Sequence, residues 1–274
     1  MNALSTLSFS SHASAFDHGL SLDALHERTP AVFASAPHER TSSKYTFIPT
    51  ERVLSGLLGA GFVPVDARQT QARRSSPAHA RHMLRLRRRF ETIELKDAIP
   101  EIVFLNSHDG TSAYQLRMGL YRVVCTNGLI VSRGAFPAYC ASHRGDVVEA
   151  VITGALKMAE EFDGLAALVE RMEQRHLLKD EQLRFAESAM AIRFPDPAQS
   201  GMPPSQLLNC RRVEDLGDDL WTILNRCQEG LLRGGLSRRS ATGRLTRTRR
   251  ISSIKEDVRL NSRLWDLASE VLAA

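Results

Sequence analysis

The sequence lacks several features that mark common protein classes. Its 274 residues include only four cysteines, none in a Cys-x-x-Cys pair, and aromatic residues make up 6%. It contains no P-loop and no Gly-x-Gly-x-x-Gly after a strand, so nucleotide hydrolysis and dinucleotide binding are not indicated. There is no run of about 18 apolar residues, and the first residues lack the basic start and apolar core of a signal peptide. We therefore expect a cytoplasmic protein with reduced thiols and no membrane partner.

The composition is that of a globular protein, with 43% hydrophobic and 24% charged residues. The patterning predicts an α+β fold with an antiparallel β-rich N-terminal half and a helical C-terminal half. Residues 1–45 are rich in Ser, Ala and His, and we interpret them as a loosely ordered arm with a short helix near Ser21–Glu27. Residues 46–274 are predicted to form a single α+β domain, β-rich over 62–132 and helical over 146–273.

The clearest β pattern lies between Leu105 and Ser132. Alternating apolar residues from Tyr114 to Leu120 predict a strand with one buried face. Asp109-Gly110 and Asn127-Gly128 are dipeptides typical of type I′ hairpin turns, which need two positive φ angles. Both turns are expected to connect strands.

Helical segments are predicted from apolar spacing and from capping residues. Thr50 is expected to cap a helix that ends near Gly59–Gly61, and a kink is expected at Gly164. Residues 233–250 are predicted to form a polar, basic loop before a last helix at Ile251–Leu272.

Arginine clusters are the strongest functional signal in a chain with formal net charge +5. Arginine presents forked donors that suit phosphate oxygens. On a strand, alternate arginines would lie about 6–7 Å apart, close to the phosphate spacing of a single strand. The alternative is a solvated face, or ion pairs with Glu160, Glu161, Asp215, Asp218 and Asp219. The first cluster is Arg73, Arg74, Arg81, Arg85, Arg87, Arg88 and Arg89, and the second is Arg233, Arg238, Arg239, Arg244, Arg247, Arg249 and Arg250. The predicted nucleic-acid-binding residues are Arg85, Arg87, Arg89, Arg244, Arg247, Arg249 and Arg250.

Weaker candidates for chemistry accompany the arginines. His108 and Asp109 could be an acid–base pair, although Asp before Gly is also ordinary turn chemistry. Glu94-x-Lys96 has a spacing found in metal-dependent nucleases, where a carboxylate holds the metal and a lysine faces the phosphate, although a solvated strand face has the same pattern. Cys140 and His143 are too loosely spaced to predict a zinc site. No metal and no cofactor are predicted.

Three stretches carry a family resemblance: "IVFLNSHDGTSAYQLRMGLYRVVCTNGLIV", "WTILNRCQEGLLRGG" and "RTRRISSIKEDVRLNSRLWDLA". In these the chain resembles the family catalogued as domain of unknown function 932, often described as phage- or plasmid-like. The resemblance implies residence on bacterial plasmids, prophages or other mobile elements, and it brings no established reaction or catalytic residue. The function expected is DNA binding through phosphate contacts, in recombination or plasmid maintenance. The alternatives are a metal-dependent nuclease using Glu94, Lys96, Asp109 and His108, or a protein that binds a host defence complex.

Overall fold

The computed structural model describes residues 19–42, 45–71, 76–89, 95, 98–122, 128–131, 139–141 (backbone only), 147–196, 201–240 and 242–274. The chain has the predicted α+β class, with an antiparallel sheet in its N-terminal half and helices in its C-terminal half. Strands are β1 Phe62–Gln69, β2 His82–Arg88, β3 Ala98–Asn106, β4 Tyr114–Arg122, β5 Gly128–Ile130, β6 Tyr139–Ala141, β7 Ser237–Arg239 and β8 Leu245–Arg247. Helices are α1 Leu22–Arg28, α2 Thr50–Gly59, α3 Val147–Glu160, α4 Phe162–Gln174, α5 Lys179–Arg193, α6 Leu220–Arg233 and α7 Ile254–Ala273.

The main sheet follows the chain, in the order β1-β2-β3-β4-β5, with β6 also paired to β4. The pairing of β1 with β2 shifts register between Pro64 and Asp66. Proline cannot donate a ladder hydrogen bond, so it is tolerated at such an irregularity. The connection between β3 and β4 spans residues 107–113, with Gly110 at a φ of 77°. This connection is longer than the predicted two-residue turn, because the Asp109 carboxylate closes a wider loop by accepting hydrogen bonds from Thr111. Asn127 of the other predicted turn lies outside the described residues.

Two compact units are formed. The first contains residues 1–92, 104–114 and 140–155, and the second contains 93–103, 115–139 and 156–274. The division into an arm and one domain stays a prediction. In the first unit α1 begins after Ser21, whose hydroxyl accepts from the Ala24 N–H as a helix cap. Leu25 of this helix is fully buried.

The second unit is held together by α5, α6 and α7, which contact one another, while α7 also contacts β5. Its buried core includes Ile223, Leu264 and Trp265. Helix α6 begins at the cap Asp219, and helix α7 begins at the cap Ser253.

The predicted kink at Gly164 is wrong, because the chain breaks between α3 and α4 at Glu161. Gly164 lies inside the first turn of α4. Among the described residues, no helix has both the length and the apolar character needed to cross a membrane.

Candidate nucleic-acid interface

A β-hairpin carries the centre of the second arginine cluster. Strands β7 and β8 pair antiparallel, with Arg239 opposite Leu245 and Ser237 opposite Arg247. Gly243 in the connecting turn has a φ of 78°, which glycine adopts without strain. The prediction of a loop at 233–250 is therefore wrong for these strands. Their alternation is masked because arginines occupy both faces, which leaves no apolar period to detect.

The hairpin region is uniformly basic. Residues 230–255 contain eight basic residues and neither aspartate nor glutamate. Of its arginines, Arg238 is half-buried and the others between 239 and 250 are exposed. Between residues 238 and 250, none of the arginines forms an ion pair with a carboxylate of the described residues, whereas Arg233 pairs with Glu229. The charges of the exposed arginines therefore face solvent, whereas the Arg238 Nε atom is buried. The exposed members are Arg239, Arg244, Arg247, Arg249 and Arg250.

Three of the five acidic residues considered as their partners are engaged elsewhere. Asp215 forms an ion pair of 2.8 Å with Arg122. Asp218 lies 2.6 Å from the His176 ring, and the hydrogen bond from His176 holds the pKa of this carboxyl below its usual range. Asp219 caps α6. For these three carboxylates, pairing with the hairpin arginines is therefore not observed.

The base of the hairpin is fixed by glycines and by hydrogen bonds. Gly234 ends α6 with φ 70° and ψ −147°, a backbone conformation that residues other than glycine rarely adopt. The Gly235 N–H donates to the Thr248 carbonyl at 2.8 Å. The Arg193 guanidinium donates to the Arg249 carbonyl at 2.6 Å, which ties the end of α5 to the segment after β8.

Strand β7 is also held along its length. The Gln206 side chain donates to the Ser237 carbonyl at 2.9 Å and accepts from the Ser237 N–H at 3.1 Å. The Arg239 N–H donates to the Gly201 carbonyl at 2.8 Å. A Cβ at Gly201 would come within 2.1 Å of the Arg239 carbonyl oxygen, so only glycine allows this approach. The hairpin is therefore anchored on the strand that leaves α6.

A chain of alternating charges reaches the end of α6 just before the hairpin. Arg122 pairs with Asp215 at 2.8 Å, and Arg212 lies 3.5 Å from the same carboxylate. Arg212 also bonds Glu229 at 2.5 Å, and Glu229 pairs with Arg233 at 3.1 Å. Asp215 and Glu229 are buried. Buried charges are tolerated only when paired, so this chain fixes the helix end from which the hairpin starts.

The arginine row predicted on β2 is mostly buried, unlike the arginines of the hairpin. Arg85 and Arg87 alternate on the strand as expected, but each is only 8% exposed, and Arg85 lies 3.5 Å from Asp66. Arg89 follows β2 and is exposed. Their burial means that Arg85 and Arg87 offer little surface to a ligand. Two further members of this cluster, Arg73 and Arg74, lie outside the described residues.

His108 belongs to a fully buried polar network centred on the Thr50 hydroxyl. The Thr50 oxygen lies 3.0 Å from His82 Nε2, 3.1 Å from His108 Nε2 and 3.0 Å from Asn106 Nδ2. The Ala80 carbonyl can only accept, so His82 carries its proton on Nδ1. Burial lowers the pKa of His82 to about 4, and its neutral Nε2 accepts the Thr50 O–H. The Thr50 oxygen then accepts from Asn106 and from the His108 Nε2–H.

This network replaces the predicted capping role of Thr50. Pro49 occupies the cap position of α2 and Thr50 is the first helical residue. Its hydroxyl instead forms hydrogen bonds with partners that are 32, 56 and 58 residues away in the sequence. No local sequence pattern marks such a role, and so sequence analysis missed it.

Asp109 closes the loop between β3 and β4. Its carboxylate accepts from the Thr111 hydroxyl at 2.6 Å and from the Thr111 N–H at 3.0 Å. Burial raises the pKa of Asp109, but hydrogen bonds from the Thr111 and Ser107 side chains outweigh it and hold the pKa below its usual range. The adjacent residues thus face different surroundings, with His108 in the buried network and Asp109 in the loop.

The other candidates for chemistry are partly outside the described residues. Glu94, Lys96 and His143 fall there, and the side chain of Cys140 is not described. Among the residues that are described, no group of three or more His, Cys, Asp or Glu side chains could hold a metal ion. Cys210 and Cys227 are free thiols, and burial raises the pKa of Cys227 to about 12.

The fold and the hairpin define an α+β protein with a basic β-ribbon anchored beside a helical core. The family described as "Domain of unknown function (DUF932)" matches residues 37–265, and the chain belongs to this family. It is 40% identical over 257 residues to UPF0380 protein YafZ and to UPF0380 protein YfjQ, both of Escherichia coli K12, with 93% of each chain covered. No solved structure matches the chain.

Proposed function

We propose that the protein binds nucleic acid through the phosphate backbone, with the β7–β8 hairpin and the segment after it as the contact surface. The observation that carries the proposal is a basic region without acidic residues, in which the exposed arginines between 239 and 250 form no ion pair with a carboxylate of the described residues. Proteins of ordinary surface composition intersperse both signs of charge, whereas a one-sign stretch attracts a polyanion.

The anchoring of the hairpin supports this function over a simple solvated face. A binding surface gains affinity when its side chains are held on a rigid element, because less conformational entropy is lost on association. Hydrogen bonds from Gln206 and Arg193 and the glycine at 234 fix the backbone from which the arginines extend. A face that serves solubility alone has no need of such fixation.

The proposal includes the setting that the family resemblance implies. We place the protein in the bacterial cytoplasm, on the DNA of a plasmid, prophage or other mobile element, in recombination or maintenance. Phosphate contacts position a protein but carry little sequence information. Binding is therefore expected to depend weakly on sequence.

Charge reversal of Arg247, Arg249 and Arg250 to glutamate tests the proposal by fluorescence anisotropy with a labelled DNA fragment. At about 0.1 M salt each phosphate contact contributes about eightfold in affinity, so losing three weakens binding by about 500-fold. The matched control reverses three exposed basic residues away from the hairpin, Lys157, Arg171 and Lys179. The control keeps most of the affinity if the hairpin is the site. Equal losses in both variants, or no binding by the wild type at low salt, would overturn the proposal.

A further inference from the structure

The two faces of the hairpin both carry arginine. Directly opposed residues of an antiparallel pair point to the same side, and successive residues point to opposite sides. Arg239 and Arg247 therefore share one face with Leu245, and Arg238 lies on the other face with Thr246. The Ser240 N–H donates to the Arg244 carbonyl, which continues the ladder and places Arg244 on the face of Arg238. Each face holds a diagonal pair of arginines about 7–8 Å apart. The face of Arg238 is buried at the base of the hairpin, at Leu236 and Thr248. Toward the tip Arg238 is half-buried and Arg244 is exposed, so this face is open to a ligand near the tip.

Charge on both faces fits a ligand with two rows of phosphates. A single strand or a flat polyanion can contact only one face of a ribbon and leaves the other in water. The groove of a duplex has a phosphate row on each side. The B-DNA major groove is about 12 Å wide and admits a two-stranded β-ribbon. A ribbon that enters the groove by its tip directs one face toward each wall.

The tip of the hairpin suits the floor of such a groove. The residues of the connection are Ser240, Ala241, Thr242 and Gly243, all of them small. The Ser240 and Thr242 hydroxyls lie 2.9 Å apart, and both residues are otherwise polar and small. Hydroxyl side chains can donate to or accept from base edges.

The features that single-stranded nucleic acid requires are missing here. Proteins that bind single strands stack successive bases on aromatic side chains. No aromatic residue occurs between Trp221 and Trp265, and both tryptophans are buried, at 3% and 0% exposure. Duplex RNA is disfavoured for another reason, because the A-form major groove is too narrow and deep for side chains to read.

From these observations we infer that the ligand is duplex DNA, with the hairpin inserted in the major groove and its two arginine faces directed at opposite phosphate rows. This inference rests on the proposed function, and it adds the class of nucleic acid and the manner of binding. It requires that both faces contribute to affinity and that neither face alone accounts for it.

The first experiment compares one labelled 24-base-pair DNA duplex, its separated single strand and an RNA duplex of the same sequence, by anisotropy at about 0.1 M salt. We expect the DNA duplex to bind about tenfold or more tightly than either of the others, because neither can fill both faces. Equal or tighter binding of the single strand or the RNA duplex overturns the inference but leaves the proposed function standing. Failure of all three to bind overturns both.

The second experiment separates the two faces. R238A/R244A removes one pair and R239A/R247A removes the other, while R171A/K179A is the control for charge. Each hairpin variant is expected to lose about 60-fold in duplex affinity, from two contacts of about eightfold each, and the control is expected to lose little. Circular dichroism and thermal unfolding establish that each variant is folded. Loss in only one pair would overturn insertion between two phosphate rows.

Competition identifies the groove. Methyl green occupies the major groove and netropsin the minor groove, and each is titrated against the wild-type complex. We expect methyl green to displace the protein from DNA and netropsin to leave the complex intact. Displacement by netropsin alone would overturn the major-groove assignment.

Discussion

Acidification should destabilise the protein through His82, whose ring is fully buried against Thr50 and the Ala80 carbonyl. Burial lowers the pKa of His82 from 6.5 to about 4. As pH falls below about 6.5 the unfolded chain takes up a proton on this ring, whereas the folded protein does so only near pH 4. The unfolded state therefore binds more protons, and the free energy of unfolding falls as pH falls.

The size of the effect follows from the two pKa values. Between about pH 7 and pH 5 the loss attributable to His82 is about 2 kcal/mol, and below pH 4 it approaches a limit of about 3 kcal/mol. That is a large part of the 5–15 kcal/mol by which proteins are typically stable. Urea unfolding of the wild type and of His82→Gln at several pH values measures it.

The His82→Gln variant is expected to be less stable at pH 7, since a buried hydrogen bond is altered, but its stability should fall by about 2 kcal/mol less between pH 7 and 5. A His26→Gln variant is the control, because it removes an exposed histidine that lies outside the buried network. A His82→Gln variant with the pH dependence of the wild type would refute the reasoning.

Two further predictions concern the support of the hairpin. Gly234→Ala places a Cβ within 2.6 Å of the Thr248 carbonyl oxygen and forces a φ of 70° on alanine; we expect a loss of about 1–3 kcal/mol in thermal unfolding, together with weaker DNA binding. Unchanged stability would contradict the positive φ angle and the close backbone approach at Gly234. Asp215→Ala removes the buried carboxylate that lies 2.8 Å from the buried Arg122 guanidinium, and it is expected to cost about 3–5 kcal/mol in chemical unfolding. A loss below about 1 kcal/mol would contradict a buried ion pair.

The fold class could be predicted because its signals are local. Alternation from Tyr114 to Leu120 marks β4, and helical spacing of apolar residues marks α7, although the predicted start at Ile251 lies three residues before the observed start at Ile254. The hairpin β7–β8 could not be predicted in the same way, because arginines on both faces hide its period. Periodicity detects an apolar face, and this ribbon has none.

The candidate residues divide along the same line. The concentration of arginine between 233 and 250 is visible in the sequence. The ion pair of Arg85 is with Asp66, which precedes it by 19 positions and meets it only through strand pairing. The network at His108 likewise depends on Thr50, 58 positions earlier. Contacts made between distant segments leave no spacing to read.

The salt dependence of DNA binding tests the central claim most directly. Each phosphate contact adds about −0.9 to the slope of log affinity against log salt, so six engaged arginines give a slope of about −5. Replacing Arg238, Arg239, Arg244 and Arg247 by alanine should reduce the magnitude of the slope by about 3.6. The R171A/K179A control should leave the wild-type slope in place. A slope that the hairpin substitutions do not change, or the absence of binding at low salt, would contradict the account.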